Sequence, residues 1–303
     1  MRVSALTTFG LGGESREVVF ITSPAELVIT IEQLKKAKQK YALIAGGSNV
    51  VWQDAPFKGV VIKYWAPGSL GKNVLLSKNK ITCDSSVPLA DLIKIASNNN
   101  LAGLESLSGI PGTVGGAVVG NAGAYGQGIS DNLTAVEIWD GKKIKILNKK
   151  QCRFKYRDSI LKHKNWLVLS LTFELKPGDK SILTKRAKEI IKLREKKYPP
   201  GLKCPGSFFK NIVATDLPKA VLKKIDPAKI THGKIPAGYL LEEVGAKGLK
   251  EGGVMVATYH GNLLVNLGGG KTKEVKRLAA KLKNKVMKRF SLRLQEEIRY
   301  LPN

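Results

Sequence analysis

Residues 108–126 read SGIPGTVGGAVVGNAGAYG, and Gly109, Gly112, Gly115, Gly116, Gly120, Gly123, Gly126 and Gly128 crowd one short stretch. Glycine costs backbone entropy, and loop closure alone does not need so many; the density implies backbone wrapped closely around a large, flat, phosphate-bearing ligand. The segment is neither GxGxxG opening a Rossmann helix nor GxxxxGK followed by Ser or Thr, because no lysine follows and the strand-to-helix context is missing. A dinucleotide site of a non-Rossmann type is the expectation that survives. A second element, AGGSNVV (45–51), sets Gly46, Gly47, Ser48 and Asn49 directly after an apolar strand, where small residues let backbone N–H groups approach a phosphate or ring oxygen. Taken alone, it describes a tight turn between strands equally well.

The elements that must position these loops follow from periodicity. VVFIT, SPAELVITIEQLKKAKQ with Ser23 as N-cap and Pro24 at N1, YALIAGG and GVVIKY predict a small unit of strands around one helix. ITCDSSV then leads to a helix in PLADLIKIASNNNL with Leu89, Leu92, Ile93 and Ile95 mainly on one face. LTAVEIWD, KIKIL and WLVLSLTFEL predict strands, the first two joined by a DGKK hairpin. A basic helix over 181–197 meets YPPGLKCPG, a stiff, non-helical boundary. Beyond it, GSFFKNI predicts a strand, LPKAVLKKI and AGYLLEEVG helices, VMVATYHGNLLVNLG two strands, TKEVKRLAAKLKNKVMKRF a long helix and EEIRYLP a strand. The fold class is α+β, with expected divisions at 1–70, 71–198 and 199–303.

The net charge is +27, yet 43% hydrophobic residues exclude a disordered basic tail. The lysines are dispersed at helical spacing with few aromatics among them, which describes solvated helix faces rather than a nucleic-acid surface. Cys83, Cys152 and Cys204 lie far apart without a CxxC pair, arguing against zinc and a disulfide framework and for a reducing compartment. No apolar leader begins the sequence and no run of about 18 apolar residues occurs. A cytoplasmic monomer without metal, membrane or nucleic-acid partners is expected.

TTFGLGG (7–13), AGGSNVV (45–51), SGIPGTVGGAVVGNAGAYG (108–126), YRDSIL (156–161), GSFFKN (206–211) and EEIRY (296–300) together resemble the UDP-N-acetylenolpyruvoylglucosamine reductase family. The motifs occur in the family's order from the first ten residues to the last eight. The resemblance implies a two-lobed FAD-binding domain of the vanillyl-alcohol-oxidase (PCMH) type followed by an α+β substrate-binding domain. It also implies FAD held noncovalently, NADPH as reductant, and UDP-N-acetylglucosamine enolpyruvate as the substrate. The chain resembles the shorter class, which lacks an inserted loop whose tyrosine closes over the substrate diphosphate.

Residue roles come from the same resemblance. Arg157 stabilises the substrate carboxylate as charge moves onto it, Ser207 protonates carbon, and Glu297 helps polarise the carboxylate, with Glu296 the runner-up because the family commonly has proline there. FAD falls to Gly46, Gly47, Ser48, Asn49, Ser108, Gly109, Ile110, Pro111, Gly112, Gly115, Gly116, Asn121, Gly123, Ala124, Tyr125 and Gly126. Lys210, Asn211, Tyr239 and His260 match substrate-contacting positions. Without the motifs, Arg157 reads as an ion pair with Asp158 or a neighbour, Ser207 as a turn cap, Glu297 as a solvated terminal charge, and Tyr239 and His260 as packed residues. Related oxidases often tether flavin through His or Cys; neither residue type lies in the glycine-rich segment, so a covalent flavin is not expected.

Overall fold

The computed structural model describes residues 1–68 and 70–302. It gathers the chain into two compact units: Met1–Arg16, Gly47–Lys58 and Lys197–Asn303 form the first, and Glu17–Gly46 and Gly59–Lys196 the second. The units change between Lys196 and Lys197, just ahead of the Pro-Pro pair. The other boundaries do not follow a linear division at residue 70, because segments 1–16 and 47–58 pack with the C-terminal third.

In the second unit, a five-stranded antiparallel sheet has the order Ile144–Asn148, Leu133–Trp139, Leu167–Glu174, Lys80–Asp84, Val74–Ser77. Alternation sends Ile81, Cys83, Val136, Ile138, Leu171 and Phe173 into one core with the Leu89–Asn98 helix, whose Leu89, Leu92, Ile93 and Ala96 face it. Ile21, Leu27, Ile31, Val60, Ile62 and Tyr64 form a separate core with Trp139 and Leu169. The Pro24–Lys36 helix starts as expected, with Ser23 Oγ accepting the Glu26 N–H at 3.2 Å. A short helix, Val114–Val119, follows the first glycines, capped by Thr113 Oγ1 accepting the Gly116 N–H. It springs from irregular backbone rather than from a strand.

In the first unit, the Thr272–Phe290 helix buries Val275, Leu278, Ala279, Leu282, Val286 and Phe290 at helical spacing, while Lys273, Lys276, Lys281 and Lys288 are exposed. Its core also contains Phe9, Phe208, Phe209, Leu240 and Leu264. Strands Lys250–Glu251, Val254–Val256 and Leu264–Asn266 form an antiparallel sheet, and Arg299–Leu301 pairs in parallel with Val50–Trp52. The strand expected over GSFFKNI is replaced by isolated bridges, Ser207 with Leu263 and Phe209 with Glu296, and a two-residue strand Ile212–Val213. The helix expected over LPKAVLKKI shrinks to Lys219–Leu222.

Candidate active site

The glycine-rich segment of the second unit is held by close backbone approach. A Cβ on Gly46 would lie 2.5 Å from the Gly112 Cα, so the strand-end loop and the 111–113 turn touch main chain to main chain. Lys63 Nζ donates to the Ala45 carbonyl beside that contact, and burial pushes its ammonium down to about 8. Further on, Gly123–Ala124 and Gln127–Gly128 form a hairpin whose two central residues, Tyr125 and Gly126, both have positive φ, 51° and 81°. That left-handed pair is what a two-residue hairpin turn requires, and it leaves the Tyr125 ring half exposed.

Three buried side-chain atoms of this segment, Ser108 Oγ, Asn121 Oδ1 and Gln127 Oε1, have no hydrogen-bond partner among the described residues. Leaving one buried polar atom unsatisfied costs about 1–3 kcal/mol. Glycine backbone, an exposed aromatic ring and orphaned polar atoms together fit a flat ring system with hydroxyl and phosphate groups. FAD has that chemistry, so the residues present fit the cofactor.

YRDS sits against the same segment. Lys155 and Asp158 exchange backbone hydrogen bonds of 3.0 and 3.1 Å, which puts Tyr156 and Arg157 at the tip of a tight turn, Arg157 in the left-handed region at φ 54°. Asn121 Nδ2 donates to the Lys155 carbonyl at 2.8 Å and Ser159 Oγ to Val119 O at 2.7 Å. Asp158 faces His163, Oδ1 to Nε2 2.7 Å, so its carboxylate is directed to the imidazole. The Arg157 guanidinium lies 5.7 Å from the Tyr156 ring centroid.

Ser207 and Glu297 belong to the first unit. Gly206, at φ 84°, turns the chain into Ser207-Phe208-Phe209, whose two rings are fully buried and meet edge to face at 5.0 Å. On one side Asn262 holds the segment: its carbonyl accepts the Phe208 N–H at 3.0 Å, and its side chain accepts from Phe209 N and donates to Phe209 O, both at 2.8 Å. On the other side the Glu297 N–H donates to Phe208 O at 2.8 Å, and Lys210 N–H to Gln295 O at 2.9 Å. Ser207 is half-buried, and its Oγ is 2.9 Å from the Tyr198 hydroxyl. Glu296 is ion-paired with Lys283 and hydrogen-bonded to Tyr300, and both it and Glu297 are half-buried.

The remaining expected contacts have structural duties. Asn211 Oδ1 accepts the Ala237 N–H at 3.1 Å, capping the Ala237–Glu243 helix. Tyr239 on that helix packs partly into the core beside Phe290. His260 Nδ1 accepts the Asn262 N–H at 3.0 Å, and burial followed by the Lys197 charge pushes its pKa down to about 4. At neutral pH it is therefore uncharged, with its proton on Nε2. No sequence motif marks Tyr198 or Asn262 as functional; the signal for the second is an asparagine set between two apolar runs. Among the described residues no cluster of His, Cys, Asp and Glu could hold a metal, and no helix is long and apolar enough to cross a membrane.

Residues 16–144 match the family model of an FAD binding domain. With the fold, this defines the class: an FAD-dependent oxidoreductase. Residues 198–301 match the model of the UDP-N-acetylenolpyruvoylglucosamine reductase C-terminal domain. The chain is 38% identical over 300 residues to the UDP-N-acetylenolpyruvoylglucosamine reductase of Solibacter usitatus, covering 99% of this chain and 95% of that one. The enzyme of the same name from Carboxydothermus hydrogenoformans is 33% identical, with 97% and 90% covered. A solved structure of UDP-N-acetylenolpyruvylglucosamine reductase from Thermus caldophilus superposes with a TM-score of 0.75 at 28% identity, covering 100% of this chain and 98% of that one. The chain belongs to the UDP-N-acetylenolpyruvoylglucosamine reductase family, whose activity serves peptidoglycan synthesis.

Proposed function

We propose that the chain uses NADPH to reduce the enolpyruvyl group of UDP-N-acetylglucosamine enolpyruvate, giving UDP-N-acetylmuramate in the cytoplasm. One observation carries the assignment of residues: the segments bearing Ser207 and Glu297 run side by side, tied by the Glu297 N–H to Phe208 C=O bond of 2.8 Å. Gly46, Gly47, Ser48, Asn49 and the loop residues named between Ser108 and Gly126 hold FAD noncovalently. When bound, FAD supplies the two-electron carrier that such a reduction needs.

This chain's own residues supply the rest. Hydride arriving at the vinyl terminus drives negative charge toward the substrate carboxylate, and Arg157 offers a permanently charged, two-pronged partner for it. Glu297 takes part in polarising the carboxylate, which requires that its own charge be neutralised by a proton or a close cation. Glu296 is engaged by Lys283 and Tyr300, and it is the Glu297-Ile298-Arg299 register of the motif that supports Glu297 for the role. Ser207 delivers its proton to the adjacent carbon, and since an unassisted hydroxyl is a weak acid, it needs a partner. Lys210 and Asn211 contact the substrate; His260 does so as a neutral donor through Nε2, and Tyr239 through its exposed edge.

The test separates the half-reactions. Purified protein is expected to be yellow, to bleach with NADPH, and to recover colour with the enolpyruvyl sugar nucleotide. Ser207→Ala should leave bleaching intact and slow recovery by about a hundredfold or more. Equal loss of both steps would instead place Ser207 in cofactor binding.

A further inference from the structure

Ser207 Oγ meets a second hydroxyl, that of Tyr198, at 2.9 Å, a separation at which either oxygen can donate. Tyr198 is held where it is by its surroundings. Pro199 and Pro200 restrict the backbone after it, the Lys197 carbonyl accepts the Tyr259 O–H at 3.3 Å, and the Leu202 N–H closes a turn onto Pro199 O at 3.1 Å. The Lys197 ammonium lies 5.2 Å from the Tyr198 ring centroid. Tyr198 is half-buried, so its oxygen is neither sealed in the core nor fully solvated.

This arrangement addresses a chemical difficulty. When a serine hydroxyl gives a proton to carbon, its oxygen is left as an alkoxide, a far stronger base than a phenolate. A phenol is a stronger acid than water and can hand its proton to such an alkoxide directly. We infer that Tyr198 is a positioning residue for Ser207: its phenol orients the serine hydroxyl and passes its own proton to Oγ as Oγ gives one up. The inference rests on the reading of Ser207 as proton donor.

The step balances. The Ser207 O–H bond breaks with its electron pair left on Oγ, and the substrate carbanion's pair forms the new C–H bond. The Tyr198 O–H bond breaks with its pair left on the phenolic oxygen, its proton restores the serine hydroxyl, and solvent water re-protonates the phenolate. One solvent proton enters the product, and no redox change falls on the protein.

Tyr198→Phe in the FAD-loaded enzyme tests this, since it removes one oxygen and keeps the ring. FAD content and the rate of bleaching by NADPH are expected to stay at parental levels. Recovery driven by UDP-N-acetylglucosamine enolpyruvate should slow about ten- to a hundredfold in kcat, with KM within about twofold. The double variant Ser207→Ala/Tyr198→Phe should be no slower than Ser207→Ala, because Tyr198 then has nothing to act through. Independently of turnover, protein labelled with 13Cζ-tyrosine should show a resonance that vanishes in Tyr198→Phe and shifts in Ser207→Ala. Parental recovery in Tyr198→Phe, additive losses in the double variant, or a Tyr198 resonance indifferent to Ser207→Ala would each overturn the role of Tyr198 while a slow Ser207→Ala kept that of Ser207. An unimpaired Ser207→Ala would remove both.

Discussion

Asn49 holds the backbone on both sides of Ile298: its Nδ2 donates to the Glu297 carbonyl at 3.0 Å, and its own carbonyl accepts the Arg299 N–H at 3.0 Å. The parallel pairing of Val50–Trp52 with Arg299–Leu301 continues from this point. A residue expected from the sequence to face a cofactor thus also fixes the main chain of a candidate catalytic glutamate.

Asn49→Ala is therefore expected to cost about 1 kcal/mol of stability, the net worth of one lost hydrogen bond. Denaturant titration should show a lower midpoint with an unchanged slope. Substrate-driven recovery of flavin colour should fall further than FAD affinity does. A fall confined to FAD affinity would limit Asn49 to the cofactor.

Asn262 is 3% exposed, and its side chain does for Phe209 what a neighbouring strand would do, giving and taking one bond each. Asn262→Ala would orphan a buried N–H and a buried C=O together. We expect a loss of about 2–6 kcal/mol, from about 1–3 kcal/mol for each group, read from urea unfolding. Asn262→Asp should also destabilise, because a carboxylate accepts from the N–H but cannot donate to the carbonyl.

The depressed pKa of His260, about 4 in the folded chain against an ordinary 6.5, gives stability a sign with pH. The unfolded state takes up a proton below pH 6.5 that the folded state refuses until about pH 4. The contribution of His260 is therefore fully present above about pH 6.5 and is lost as pH falls toward 4. Asp84 works in the opposite sense over much of this range, because burial and then the Glu137 charge raise its pKa to about 6. The measurement is accordingly a difference: His260→Gln, which keeps an acceptor for the Asn262 N–H, should lose less stability than the parent between pH 6.5 and 4.

The elements that could be read in advance are those whose signals are local. Thr272–Phe290 and Pro24–Lys36 announce themselves by apolar spacing, and the second by its Ser-Pro start. The short helix Val114–Val119 has too few turns and too many glycines for periodicity to appear. The GSFFKN segment carries strand-like residues, but its hydrogen bonds run to the Asn262 side chain and to residues 295–297, partners no local pattern names. The placement of 47–58 with the C-terminal third depends on the pairing of Val50–Trp52 with Arg299–Leu301, a long-range fact. Ser207 and Arg157 can be put forward from the sequence because they sit in motifs, whereas Tyr198 is visible only through its contact with Ser207.

Gly116 offers a test of whether the glycine-rich segment is shaped by its own fold or by its ligand. It lies inside the Val114–Val119 helix, is exposed, and a Cβ there would meet only Thr113 Oγ1, at an ordinary 3.5 Å. Neither strain nor crowding demands glycine, in contrast to Gly46 against Gly112. Helix propensity favours alanine by up to about 1 kcal/mol, so Gly116→Ala should stabilise the FAD-free protein, measured by its unfolding midpoint. If backbone at this point must lie against the cofactor, the same change should weaken FAD binding, measured by titration into the FAD-free protein. Opposite signs in the two measurements would mark Gly116 as a ligand-facing position. A rise in stability with FAD affinity unchanged would remove it from the cofactor site.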